Sequence, residues 1–141
     1  MKRLYYDDEI EKRIDTLDEV IIYGAGVMGQ ALKLCLEARP YDKKVSNFIV
    51  SQTAGNPEMI GDAPVIAVDE ADRYKDRTII VALNEGNMPG AIKTLNEKGF
   101  RDLMLLNAAG DEWSHIKANF FLCNPEYCYI PFRMIGRGNH T

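Results

Sequence analysis

The sequence predicts a three-layer α/β fold of the Rossmann-like type, a doubly wound parallel sheet with helices on both faces. Short apolar runs typical of buried parallel strands alternate with segments of helical periodicity, as expected for βαβ units with right-handed crossovers. The first apolar run, residues 20–23, leads directly into a G-x-G-x-x-G loop and then into a helical pattern. That order of strand, glycine loop and helix is the one a nucleotide-binding first turn requires.

Each element has its own signal. The chain begins with an amphipathic helix at residues 7–18, in which Ile10, Ile14 and Leu17 have helical spacing. Strands are predicted at residues 20–23, 45–50, 63–68, 78–83 and 103–106, which makes a sheet of about five strands in the order 3-2-1-4-5. Helices are predicted at residues 27–37, 88–98 and 111–118, with a short helix capped by Asp69 at 70–74 and a loop at 51–62.

The 141 residues suit a single core and divide into three segments. Residues 1–18 are a helical lead-in, residues 19–107 form the Rossmann-like domain, and residues 108–141 are predicted to be an irregular aromatic extension. Because helices are expected on both faces of the sheet, the extension is expected to form a homodimer contact or to meet an adjacent catalytic domain. The apolar side chains that carry this expectation are Phe120, Phe121, Leu122, Tyr127, Tyr129, Ile130 and Phe132.

Composition narrows the range of partners. The net charge is -4, with Lys and Arg scattered among acidic residues, which gives no support to nucleic-acid binding. The longest apolar runs are too short to span a bilayer, and the first residues lack the apolar region of a secretory signal. We therefore expect a cytoplasmic location with neither nucleic acid nor membrane as partner. The odd number of cysteines, three, fits reduced thiols.

The glycine loop supplies most of the candidate binding residues. Gly24 permits the tight turn after the strand, Gly26 lets backbone approach a phosphate, and Gly29 lets the helix pack closely. The phosphates of a nucleotide are expected to lie over the loop, at the start of the helix. The candidate ligand contacts in this loop are Gly24, Ala25, Gly26, Val27, Met28 and Gly29.

Two further candidates follow other strands. A dinucleotide site usually has an acidic residue at the end of the second strand to hold a ribose hydroxyl, and here Ser51 follows instead. No Arg is nearby to bind a 2′-phosphate. The pattern therefore makes NAD(P) a less favoured ligand than other nucleotides. Asn84 follows the central strand at its carboxyl end, where it either lines the pocket or caps the next helix. Tyr23, the last residue of the first strand, either belongs to the core or flanks the pocket.

Catalytic and metal-binding patterns are not evident. The chain has no Tyr-x-x-x-Lys pair, and its only histidines, His115 and His140, lie outside the βαβ units in a spacing that predicts no zinc site. Cys123 and Cys128 are interpreted as packed cysteines rather than metal ligands. No metal is expected, and the catalytic residues, if any, are unknown. Tyr23 and Asn84 are the only groups available for proton transfer in an oxidoreductase.

Three segments resemble a known family. They are residues 20–29, residues 55–66 with 69–71, and residues 78–83 with 95–100, including the patterns N-P-x-x-I-G-x-x-P-V-I and L-x-x-K-G-F. They resemble the Rossmann-like nucleotide-sugar-binding module of bacterial surface-polysaccharide biosynthesis proteins, as in the N-terminal domains of sugar acyltransferases and nucleotide-sugar dehydratases. The resemblance covers residues 19–107 and implies that the glycine loop contacts a diphosphate. That family often has an acidic residue where this chain has Ser51.

The sequence thus favours a nucleotide or nucleotide-sugar binding module of cell-surface polysaccharide synthesis, working with a separate catalytic domain or partner. A nucleotide diphosphate sugar is the favoured ligand, with NAD(P) as the alternative. Two other functions stay open at this point. One is an NAD(P)-dependent oxidoreductase or dehydratase domain, and the other is an interaction module whose glycine loop binds nothing.

Overall fold

The computed structural model describes residues 9–129 and has one six-stranded sheet. Its strands are β1 Glu19–Tyr23, β2 Lys44–Val50, β3 Met59–Ile60, β4 Ala63–Ala67, β5 Thr78–Leu83 and β6 Asp102–Asn107. Their order across the sheet is β3-β4-β2-β1-β5-β6. Neighbouring strands are parallel except β3 and β4, which are antiparallel. The α/β class predicted from the sequence is confirmed.

Four helices and three 3-10 segments complete the described chain. The helices are α1 Glu9–Thr16, α2 Val27–Glu37, α3 Met88–Glu97 and α4 Asp111–Cys123, and the 3-10 segments are Val68–Glu70, Asp72–Tyr74 and Pro125–Tyr129. One core lies between the sheet and helices α1, α2 and α4, where Ile14, Leu32 and Ile116 are buried. The other core lies beneath α3, where Leu95 packs with Ile79 and Phe100. The sheet is therefore the middle of three layers.

The five strands predicted from the sequence are all present, and the predicted order of those five strands holds. The structure adds β3, which lies within residues 51–62, so the prediction of an uninterrupted loop there was wrong. Met59 and Ile60 pair with Pro64 and Ala63 across a turn in which Gly61 has a φ of 60°. A strand of two residues is too short to produce a pattern of alternating hydrophobicity.

The segment after β4 also differs from the prediction. Residues 70–74 were expected to form a short helix capped by Asp69, but the chain instead makes two 3-10 turns without side-chain caps. The Asp69 carboxylate lies 2.5 Å from the Lys98 ammonium at the end of α3. The acidic side chain that looked like a helix cap thus forms an ion pair with a distant part of the chain.

In the described part of the predicted extension, residues 108–129, the chain is mainly the helix α4. α4 runs five residues beyond its predicted end at Ala118, and it buries Trp113, Ile116 and Phe120 against the sheet. Helices lie on both faces of the sheet, as expected, but the inference that they leave no room for the extension was wrong, because α2 and α4 share one face. Phe121 and Tyr127 pack partly against the same core, and Leu122 is 40% exposed. Ile130 and Phe132 lie outside the described residues.

A buried polar cluster joins α1, α4 and the loop before β2. The Tyr41 hydroxyl donates a hydrogen bond to Glu11 Oε2 at 2.6 Å. Asn119 Nδ2 donates to Glu11 Oε1 at 3.1 Å and lies 3.2 Å from the Tyr41 oxygen. Because buried polar groups are costly unless hydrogen-bonded, these contacts fix how the two helices meet.

Candidate functional site

The glycine loop lies at the carboxyl ends of the parallel strands, between β1 and α2. Gly24 has a φ of 116°, which favours glycine, and a Cβ there would lie 2.8 Å from the Ala82 carbonyl oxygen. Its N–H donates to the Ile49 carbonyl at 3.0 Å, which ties the turn to β2. The backbone of β1 therefore turns closely against both neighbouring strands.

The other two glycines have different environments. A Cβ on Gly29 would lie 2.0 Å from the Gly24 carbonyl oxygen, so the first turn of α2 packs directly on the loop. A Cβ on Gly26 would meet no atom within 4 Å. The tight turn, the open approach and the close helix packing expected of the three glycines thus each have a geometric counterpart.

The N-terminus of α2 faces the open space beside Gly26. Gly26 is the N-cap residue and has no side chain to accept from the first-turn amides, and the first turn contains no acidic residue. Those amides have no acceptor within the helix, and the aligned peptide dipoles place partial positive charge there. The geometry can therefore bind an anion such as a phosphate through backbone N–H groups.

Two chambers lie on either side of this loop. The first, which we name the Trp113 chamber, has a volume of about 490 Å³. The residues that line it come from the start of α2, the end of β5 and the β6–α4 connection with α4. They are Gly26, Val27, Met28, Gly29, Ala31, Ala82, Leu83, Asn84, Asn87, Ala108 and Trp113. Its walls are mainly apolar.

The second chamber, which we name the Tyr23 chamber, has a volume of about 440 Å³ and extends towards the end of β2. Its lining includes hydroxyl and amide side chains, and it shares Leu83 and Asn87 with the Trp113 chamber. The lining residues are Tyr23, Gly24, Ala25, Val50, Ser51, Asn56, Leu83, Asn87, Gly90, Ala91 and Thr94. The shared residues place the two chambers side by side, with the glycine loop between them.

Neither chamber has a charged side chain among the described residues that line it. Glu85 follows Asn84 but lines neither chamber. Burial raises the pKa of the Tyr23 phenol, and a hydrogen bond with the Ser51 hydroxyl partly opposes that shift. Tyr23 is thus a neutral phenol at physiological pH, and the backbone supplies the positive potential of the cleft.

All eight binding residues predicted from the sequence line this cleft. Five of them, Gly26 to Gly29 and Asn84, line the Trp113 chamber, and Gly24, Ala25 and Ser51 line the Tyr23 chamber. Of the two roles considered for Asn84, lining the cleft is the one observed: Asn87 is the N-cap of α3, and Asn84 Oδ1 accepts from the Asn87 N–H at 3.0 Å in the turn before the helix.

Sequence reasoning missed several lining residues. Trp113 was not singled out, because its position follows from the docking of α4 and not from a local motif. Asn87 was missed as well, although an Asn immediately before a helical pattern is a recognisable N-cap signal. Asn56 and Thr94 line the Tyr23 chamber because of how the chain folds, and no local sequence motif marks either residue as a binding residue.

The described part of the chain offers no evident metal site and buries two cysteines. Within residues 9–129, no group of three or more His, Cys, Asp or Glu side chains is placed to hold a metal ion. Cys35 and Cys123 are buried, and burial raises the pKa of the Cys35 thiol. His115 lies on α4, whereas His140 and the Cys128 side chain are outside the described part. No helix in that part is long and apolar enough to cross a membrane.

Comparisons with known proteins support the fold. No protein-family model matches the chain, and no curated protein sequence matches it significantly. Seven chains of solved structures do match. One of them is RSP, a Rex-family repressor, with a TM-score of 0.50 and 20% sequence identity. The alignment covers 81% of this chain and 63% of the repressor, so this chain spans less than two thirds of that protein. At this identity the likeness shows a shared Rossmann-like fold.

Proposed function

We propose that this chain is a nucleotide-binding domain that holds a phosphate or diphosphate over Gly26, at the N-terminus of α2. The observation that carries the proposal is the uncapped first turn of α2, which opens through Gly26 into the cleft. Backbone amides supply the favourable contacts, because the described lining residues include no Lys or Arg. The helix dipole then favours the anion over a neutral ligand.

The paired chambers favour a ligand with two parts joined by a diphosphate. Because the Trp113 and Tyr23 chambers share Leu83 and Asn87, one molecule can occupy both while its linker crosses the loop. Tyr23, Ser51 and Thr94 offer hydroxyl groups for a ribose or sugar. The walls around Trp113 suit a flatter and less polar group.

Within this class, we favour a nucleotide diphosphate sugar over NAD(P). Ser51 occupies the place where an acidic residue would hold the ribose hydroxyl of a dinucleotide, and its neutral hydroxyl gives no such selectivity. The resemblance of residues 19–107 to nucleotide-sugar-binding modules supports the same choice. On this proposal the domain serves bacterial cell-surface polysaccharide synthesis and works with a separate catalytic domain or partner.

NAD(P)-dependent oxidoreductase or dehydratase chemistry is the second candidate. The observation that favours it is the placement of the Tyr23 phenol beside Ser51, which makes it the one titratable side chain among the described residues that line the two chambers. Turnover of reduced nicotinamide with a panel of sugar nucleotides, lost in Tyr23→Phe, would favour this candidate over a binding module. The expectation that nucleic acid is not a partner stays a prediction.

Isothermal titration calorimetry tests the proposal with UDP, UDP-glucose, NAD and inorganic phosphate as probes. We expect UDP-glucose to bind more tightly than NAD, and Gly26→Val to abolish binding because the new side chain enters the open space over the loop. A ligand at 100 times its Kd should stabilise the parent chain by about 2.7 kcal/mol in thermal unfolding.

Gly86→Val is the matched control. Gly86 lies outside both linings, and its Cβ would make only an ordinary contact, 3.6 Å from Asn84 Oδ1. Nucleotide binding that survives Gly26→Val unchanged would place the site elsewhere. Tight NAD binding without UDP-glucose binding would reverse the order of the two candidate ligands.

A further inference from the structure

The two edges of the sheet are built differently. On one side the sheet ends at β3, an antiparallel strand of two residues whose neighbouring strand contains Pro64. Short strands and prolines are devices by which proteins prevent edge-to-edge pairing. On the other side the sheet ends at β6, which has six residues and pairs, within the described part of the chain, with β5 alone.

The β6 edge has none of these protective devices along most of its length. Residues 103–107 contain no proline and no charged side chain. Leu105 is 43% exposed, although its neighbours Met104 and Leu106 are almost fully buried. Its partner in the register, Val81 of β5, is fully buried, so at this position the packing that covers β5 does not extend over Leu105. An unprotected edge strand presents unpaired backbone N–H and C=O groups on which another chain can pair, and Leu105 adds apolar surface there.

We propose that β6 is the contact of a homodimer, in which two copies pair their β6 strands antiparallel about a two-fold axis at Leu105. This register sets Leu105 opposite its own counterpart, Leu103 opposite Asn107, and Asp102 opposite Ala108. No like charges face each other, and the surface is complementary to itself, as an isologous contact requires. Asp102 keeps its partner within its own chain, since Arg13 lies 2.5 Å from its carboxylate.

A second copy is the occupant that this edge fits, because the proposed register makes β6 complementary to itself. Of the aromatic residues expected from the sequence to form a dimer contact, Phe120 is buried in its own domain, and Phe121 and Tyr127 pack partly against the same core. The proposed contact is independent of what binds the cleft.

Three leucine or methionine positions of similar exposure make a matched experiment. They are Leu105 on β6 at 43%, Leu122 on α4 at 40%, and Met59 on β3 at 50%. In sedimentation analysis of the full chain, we expect a dimer for the parent, Leu122→Lys and Met59→Lys. Leu105→Lys should raise the dimer Kd by at least about 100-fold, because it removes apolar contact and opposes two ammonium groups at the axis.

Circular dichroism and thermal unfolding establish that each variant is folded, which is expected because all three side chains are exposed. A monomeric parent overturns the proposal, and so does a Leu105→Lys chain that dimerises as well as the parent. Dissociation caused only by Leu122→Lys would assign the contact to α4. If deleting residues 1–8 converts a monomeric parent into a dimer, those residues occupy the edge, and the proposal is likewise overturned.

Cysteine cross-linking tests the register. In a Cys128→Ser background, Leu105→Cys should form a disulfide-linked dimer under mild oxidation, since directly opposed Cβ atoms lie about 4.5–5.5 Å apart. Leu103→Cys is the control, because the axis places its counterpart several residues away along the strand. Efficient linking through Leu103→Cys and none through Leu105→Cys would contradict this register.

Discussion

The two ends of the sheet differ in how charge is used. At the amino ends of the strands, ion pairs connect elements that are neighbours in space: Arg77 with Glu19, Arg13 with Asp102, and Lys44 with Asp62. At the carboxyl ends, the described residues that line the two chambers carry no charged side chain. Charged side chains thus connect the strands at the amino ends, whereas backbone turns and amides shape the cleft at the carboxyl ends.

The amino ends of the strands thus contribute to stability, and the carboxyl ends form the candidate binding cleft. Each exposed ion pair contributes little to the free energy of folding. These pairs connect strand ends and line neither of the two chambers. A cleft without side-chain charge leaves the backbone amides at the start of α2 as its main source of positive potential. The comparison therefore predicts large effects from backbone changes at the carboxyl end and small effects from charge changes at the amino end.

The largest effect is expected from Gly29→Ala. The new Cβ would lie 2.0 Å from the Gly24 carbonyl oxygen, so either the loop or α2 must move. We expect the free energy of unfolding in urea to fall by about 3 kcal/mol, the upper part of the range for overpacking. Gly90→Ala is the control, since a Cβ there meets no atom within 4 Å and alanine favours the helix. Equal stabilities for the two variants would contradict the close packing of the loop.

An intermediate effect is expected from Ser51→Asp, which places a charge in the uncharged end. A carboxylate at the end of β2 can accept hydrogen bonds from ribose hydroxyls, and such a charged hydrogen bond contributes about 1.5 kcal/mol. NAD affinity measured by calorimetry should therefore rise about tenfold. Ser51→Asn, which adds an amide without charge, should give a much smaller change. An unchanged NAD affinity in Ser51→Asp would mean that the ribose does not lie in the Tyr23 chamber.

The smallest effect is expected from Asp62→Asn at the charged end. Lys44 and Lys33 hold the pKa of Asp62 well below its usual value, at about 2. Because the folded-state pKa is depressed, the stabilisation is present above the unfolded value of 3.8 and is lost as the pH falls towards 2. The carboxylate is largely exposed, so solvent screening keeps the effect small.

Unfolding temperatures measured by calorimetry check the direction of the pH dependence expected for Asp62. The parent should unfold at a slightly higher temperature than Asp62→Asn at pH 7, and the two temperatures should converge at acid pH. A difference between them that grows on acidification would contradict the assigned pKa shift.

Local sequence patterns predicted the parts of the molecule that local chemistry determines. The run from β1 through Gly24 to α2 was correct because strand, turn and helix signals follow one another without a gap. The end of α4 was missed because Asn119, Phe120 and Phe121 have low helix propensity, which tertiary burial of Phe120 overrides. Trp113 could not be assigned to the cleft, since its position depends on how α4 docks on the sheet.

The central claim is that a nucleotide's phosphate meets backbone amides at the start of α2, away from the charged end. Amide chemical-shift mapping by NMR with added UDP tests this most directly. We expect the largest shifts at Val27, Met28 and Gly29, and none at Glu19, Arg77 and Asp102. Shifts confined to Glu19, Arg77 and Asp102, with the α2 amides unmoved, would contradict it.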